Sequence, residues 1–87
     1  MKITWDEPKR VANIAKHSLD FASLTEAFFD DALVRSARNG RFLAIGKDMD
    51  GIISVVFATL GFEGLSIISM RPASKRERRL YNDQSEN

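Results

Sequence analysis

The chain carries a single histidine, and it directly follows a lysine, Lys16-His17. Imidazole is the side chain that changes charge near neutrality without help from its surroundings. Beside a cation it can move a proton at a phosphodiester, which calls for a general acid or base next to positive charge. The plainer alternative is a helix C-terminus, where Lys and His complement the dipole and bond the last carbonyls. A second candidate is Arg71, which ends the apolar run Ile67-Ile68-Ser69-Met70. A guanidinium at a strand end can clamp a phosphate through two parallel hydrogen bonds. Its alternative is a salt bridge to Glu77 or to an acidic helix end. Glu77 and Tyr81 stand four residues apart, hence on one face of a helix that holds them both. Tyr81 suits stacking on a base or donating a proton, and equally suits packing against a sheet.

Charge marks the same stretch. Residues 71–79 hold Arg71, Lys75, Arg76, Arg78 and Arg79 against Glu77, a local +4 in a chain of net charge +1. The remainder therefore sums to −3. Such a concentration fits a polyanionic partner, although a solvated basic helix would look the same in sequence. Cysteine is absent, which excludes a disulfide scaffold, a thiolate metal site and a cysteine nucleophile. One histidine and scattered carboxylates do not make a metal-ligand set, so no metal and no cofactor are expected. No glycine-rich phosphate loop or nucleophile elbow occurs. Any catalysis must then rest on acid–base and electrostatic groups alone. Metal-independent RNA cleavage is such a reaction, because the substrate's own 2′-hydroxyl attacks the adjacent phosphate.

The elements that must position these residues follow from periodicity. With 87 residues, 44% hydrophobic and 29% charged, the composition is that of one soluble domain with one modest core. No apolar run reaches membrane length and the N-terminus has no apolar signal core, so the expected location is the cytoplasm. Residues 2–5 alternate and suggest a short edge strand that carries Trp5 as a lid on the core. Asp6 and Pro8 start a helix to about Lys16, with Val11, Ala12, Ile14 and Ala15 as its apolar side. Asp20 is expected to cap a second helix whose stripe is Phe21, Leu24, Ala27 and Phe28. From residue 32 the period is that of strands: Leu33 to Arg38, a turn at Asn39-Gly40, Arg41 to Lys47, a turn at 48–51, Ile52 to Leu60, a turn at 61–64, and Leu65 to Met70. Ser74 and Glu77 form a capping box that opens a last short helix to about Tyr81. The expected fold is α+β: a short strand and two helices, a four-stranded antiparallel meander with the helices on one face, and a short C-terminal helix. Residues 1–82 form the single domain and 83–87 a polar tail.

Several segments, in order, resemble one family. They are Trp5-Asp6-x-x-Lys9, Asn13-x-x-Lys16-His17, Phe21-x-x-x-x-x-Ala27-x-Phe29-Asp30, Arg41-x-x-x-Ile45-Gly46, Val55-Val56-Phe57 and Ile67-Ile68-Ser69-Met70-Arg71-x-Ala73-x-x-x-Glu77-x-x-x-Tyr81. The set is similar to the BrnT ribonuclease toxins of bacterial type II toxin–antitoxin systems and covers nearly the whole chain. The resemblance implies a RelE-like fold, an endoribonuclease that arrests translation, and a BrnA-like antitoxin that neutralises it. Such an antitoxin would form a hetero-oligomer with the toxin, expected as 2:2, and would alone contact operator DNA. Lys16, His17, Arg71, Glu77 and Tyr81 fall at the positions implied to be catalytic. The chain departs from many relatives at Leu60 and Ser66, where they carry arginine. Arg41 and the basic residues Lys75, Arg76, Arg78 and Arg79 would then supply the RNA contacts. The other reading is a catalytically weak module that serves mainly as antitoxin partner and operon corepressor.

Overall fold

The structure, a computed structural model, describes residues 1–85, with backbone alone for Ser85. Its elements are β1 (Lys2–Trp5), α1 (Glu7–His17), a 3-10 turn (Phe21–Ser23), α2 (Glu26–Asp31), β2 (Leu33–Ser36), β3 (Phe42–Asp48), β4 (Gly51–Leu60), β5 (Gly64–Pro72) and α3 (Lys75–Ser85), with a second 3-10 turn at Arg38–Gly40. The sheet order is β1-β5-β4-β3-β2. The meander expected over residues 33–70 forms, and β1 adds to it in parallel beside β5, making a five-stranded mixed sheet.

One face of the sheet carries the main core. Ala44, Ile53, Val55, Phe57, Leu65, Ile67 and Met70 pack there against Leu19, Phe21, Leu24, Phe28 and Phe29. Trp5 and Ile3 close the β1 side of that core, as expected of Trp5. Phe29 meets Phe28 and Phe57 edge to face, with ring centroids 5.1 and 5.4 Å apart, the arrangement aromatic quadrupoles favour. Gly46 faces this core where there is no room for a side chain: a Cβ there would lie 2.7 Å from Phe28 Cε1.

Four expectations need correction. The single helix expected after Asp20 is two pieces. Asp20 accepts the Ala22 N–H and caps only the short turn. Thr25 then accepts the Phe28 N–H and starts α2 separately, so Phe29 is buried and Ala27 is exposed. The apolar side expected of α1 is also misplaced. Val11, Ala12, Ile14 and Ala15 are exposed, and the inward flank is Arg10, Asn13 and His17. Hydrogen bonding decides this, because Asn13 has buried backbone groups to satisfy. The third correction is the helical layer: α3 packs on the opposite face from α2, since Glu77 bonds Ser54, which points away from the main core. Finally, α3 continues to Ser85 rather than ending near Tyr81. The tail expected over 83–87 thus begins inside a helix, and its last two residues lie outside the described ones.

Candidate active site

The last strand sets the site. A strict alternation from Ile67 would send Arg71 into the main core together with Ile67 itself. It does not, because Val56 pairs with Ser69 and Phe57 with Ile67, which leaves Ile68 as an extra residue. A bulge of this kind resets the side-chain alternation beyond it. Ile67 and Met70, three apart, both reach the core. Arg71, paired with Ser54, is turned to the opposite face, where α3 covers Ser54 but leaves Arg35 and Arg41 exposed; it is called the open face below.

There Arg71 is held by Glu77. Nη1 donates to Oε1 at 2.6 Å and Nη2 to Oε2 at 2.8 Å. Glu77 also accepts from the Ser54 hydroxyl at 2.9 Å and from the Ser74 N–H at 2.8 Å. The Ser74 hydroxyl in turn accepts the Glu77 N–H at 3.1 Å, completing the capping box foreseen in the sequence. The Arg71 guanidinium, with help from the Ser74 N–H and the Ser54 hydroxyl, outweighs partial burial and holds the Glu77 carboxyl at about 2, down from an ordinary 4.5. Glu77 is therefore a fixed carboxylate at neutral pH. Arg71 makes the salt bridge that its sequence context allowed. It keeps further N–H donors, since a guanidinium has five in a rigid fork, and its side chain is 38% exposed.

His17 reaches the same end of the molecule through Asn13. The Asn13 amide donates to the Met70 carbonyl at 2.8 Å and accepts the Met70 N–H at 3.0 Å. It also donates to the Leu19 carbonyl at 3.0 Å. β1 stops pairing at Trp5–Ile67, so the Asn13 side chain continues the ladder where β1 has ended. This pins α1 beside Met70. His17 lies one helical turn beyond Asn13 on the same half-buried flank, and Arg71 is the next residue after Met70. Lys16 is exposed beside His17 in the last turn of α1, which closes with Ser18 in the left-handed region at φ 59°.

The remaining candidates are spread out. Tyr81 is half-buried and lines a depression with Leu24, Phe28, Asp31, Lys47 and Met49; no residue of α1 or β5 shares that depression. Lys75, Arg76, Arg78 and Arg79 are exposed on α3. Arg41 is exposed at the β2–β3 hairpin, toward the other end of the sheet. Leu60 and Ser66 both fall on the open face by their pairing with Gly64 and Ala58. Sequence reading passed over Ser54 and quoted Asn13 only within a family pattern, without a role. A hydroxyl in the otherwise apolar run Ile52–Phe57, and an amide at the centre of an apparent apolar stripe, were the available signals.

The model for the ribonuclease toxin BrnT of type II toxin–antitoxin systems matches residues 5–77. The 1.1 Å crystal structure of the Brucella abortus ribonuclease toxin BrnT superposes with a TM-score of 0.80 at 54% identity, covering 86% of this chain and 99% of that one. A comparison with curated proteins finds no match. With a pairing of this strength along nearly its whole length, the chain belongs to the BrnT family of ribonuclease toxins of type II toxin–antitoxin systems.

Proposed function

We propose that the chain cleaves RNA at the end of the open face where Arg71 emerges, without a metal. The observation that carries this is the bulge in β5, which takes an arginine out of the core and turns it toward solvent on a carboxylate mount. A phosphate there meets the free N–H groups of Arg71, with Lys16 as a second cation. His17 takes the proton of the 2′-hydroxyl. The 2′-oxygen attacks the adjacent phosphorus, the bond from phosphorus to O5′ breaks, and O5′ leaves with a proton from solvent. The products are a 2′,3′-cyclic phosphate and a 5′-hydroxyl. Charge on the pentacoordinate phosphorus is matched by Arg71. Glu77 supports by aligning Arg71, and Tyr81 contacts substrate further along α3, where Lys75, Arg76, Arg78, Arg79 and, across the sheet, Arg41 add backbone contacts.

The consequence is arrest of translation through loss of RNA. An antitoxin is the partner that a type II system requires. In this reading it is BrnA-like, binds operator DNA itself and assembles with the toxin as a 2:2 complex, in the cytoplasm. The chain, expressed in a bacterium without antitoxin, should stop growth and degrade RNA, and co-expression of the antitoxin should restore both. Intact RNA with a folded, antitoxin-free chain sinks the proposal.

A further inference from the structure

The sheet sorts charge by face. Cross-strand partners share a face, so Lys2, Arg35, Lys47 and Arg71 all lie on the open one, and no strand residue of that face is acidic. Arg41 continues the alternation one residue before β3: its backbone is extended and its carbonyl accepts the Ala37 N–H at 2.8 Å. Half of the chain's acids, six of twelve, fall in residues 6–31, within or beside α1 and α2. Away from the Lys16–His17 end of α1, a polyanion is thus repelled from the α1–α2 side and drawn to the open face.

Within that face the β2–β3 hairpin stands out. Arg35 pairs with Leu43, and Arg41 lies diagonally across from Arg35; such diagonal neighbours are about 7–8 Å apart. Arg38 sits at the hairpin tip, which turns through Asn39 and Gly40 at φ 60° and 73°. All three arginines are exposed. Among the described residues none of them has an ion pair or a side-chain hydrogen bond. Three free guanidinium groups on one hairpin have no structural role to explain them. Arg35 lies three strand spacings from Arg71 and two residues along, and Arg41 two spacings and four residues along, each about 16 Å away.

We infer that Arg35, Arg38 and Arg41 form a second RNA-backbone site, separate from the cleavage site, that grips single-stranded RNA a few phosphates away from the Arg71 contact. The inference deepens the proposed function and rests on its placing of the scissile phosphate near Arg71. The hairpin sets how long an RNA must be to bind well, and the site favours unstructured strands over dinucleotides. It reads no sequence, since only phosphates are contacted.

The test uses purified, antitoxin-free chain and fully 2′-O-methylated RNAs, which cannot be cleaved, of three and twelve nucleotides. Affinities are measured from low to moderate salt for the unmutated chain, for Arg35→Gln/Arg38→Gln and for Arg71→Gln, with circular dichroism to confirm folding. The hairpin variant should bind the twelve-mer about tenfold more weakly, with a salt slope shallower by about 1.4, two contacts at about 0.7 each. Its trinucleotide affinity should stay within about twofold. An unchanged twelve-mer slope overturns the inference, as does an equal loss for both lengths, which would put these arginines at the primary contact. Arg71→Gln should weaken both lengths. If it weakens neither, the placing of the cleavage site fails, and the hairpin stands or falls on its own slope.

Discussion

Arg71 and Glu77 are locked together across the junction of β5 and α3, two N–H groups on two carboxylate oxygens at 2.6 and 2.8 Å. The same carboxylate takes the Ser74 N–H at the start of α3. One side chain therefore begins the last helix and aims the arginine of the last strand. Helix docking and site geometry cannot be changed independently here.

That lock has a pH signature. The folded Glu77 carboxyl sits at about 2 against an ordinary 4.5. A depressed carboxyl stabilises the fold above its unfolded value, and the contribution is lost as pH falls through the folded one. The window therefore runs from about 4.5 down to about 2. Glu77→Gln should lose about 2–3 kcal/mol at pH 7, after discounting for partial exposure. The two proteins should converge in urea midpoint near pH 2. A gap that stays constant from pH 7 to pH 2 would mean that the pair does not set the carboxyl.

Asn13 substitutes for a missing stretch of strand. Asn13→Ala leaves the buried N–H and C=O of Met70 without partners, and such groups cost about 1–3 kcal/mol each. A loss of about 2–4 kcal/mol in equilibrium unfolding is expected. Because α1 is released from β5, cleavage should fall as well, even at temperatures where the protein remains folded. Unfolding parameters close to those of the unmutated chain would show that β5 does not need this bridge.

At Gly46 α2 packs on the sheet with no room for a side chain. Gly46→Ala puts a methyl 2.7 Å from the buried Phe28 ring and 3.3 Å from Ala32 Cβ. Overpacking of this kind costs about 1–3 kcal/mol. Thermal unfolding checks it. A melting temperature equal to or above that of the unmutated chain would mean that α2 shifts freely.

Much of this was legible in the sequence. The edge strand, the meander, the positive φ at Asn39-Gly40 and the capping box at Ser74 and Glu77 are local signals, and each appears in the fold. The parallel docking of β1 beside β5 was not legible, because pairing partners far apart in sequence leave no local mark. Nor was the inward flank of α1: Val11, Ile14 and Ala15 look like the buried side until the open ladder at Met70 claims Asn13. The bulge at Ile68 hid in a run where every residue from 65 to 70 is apolar or serine. Alternation cannot be read from such a run, and so the face on which Arg71 emerges could not be read either. The charge at 71–79 singled out the β5–α3 junction from the sequence alone, while Arg35 and Lys47 became visible only when the register put them on one face.

His17 and Lys16 should separate in kinetics. A general base contributes about 10²–10⁴-fold, so His17→Ala should lower kcat by at least a hundredfold with little change in RNA affinity. Lys16→Ala should act mainly on KM. Steady-state cleavage of one labelled RNA measures both. Full turnover by His17→Ala would remove the imidazole from the mechanism.

The central claim is that the arginine turned out of the core by the β5 bulge contacts the reacting phosphate. Its most direct test is single-turnover cleavage of a labelled RNA by purified Arg71→Gln beside the unmutated chain, with matched circular dichroism spectra. Removing a donor to developing charge costs about 10²–10³-fold, and a rate lowered by at least a hundredfold is the expected result. Cleavage by Arg71→Gln within about threefold of the unmutated rate would contradict the account.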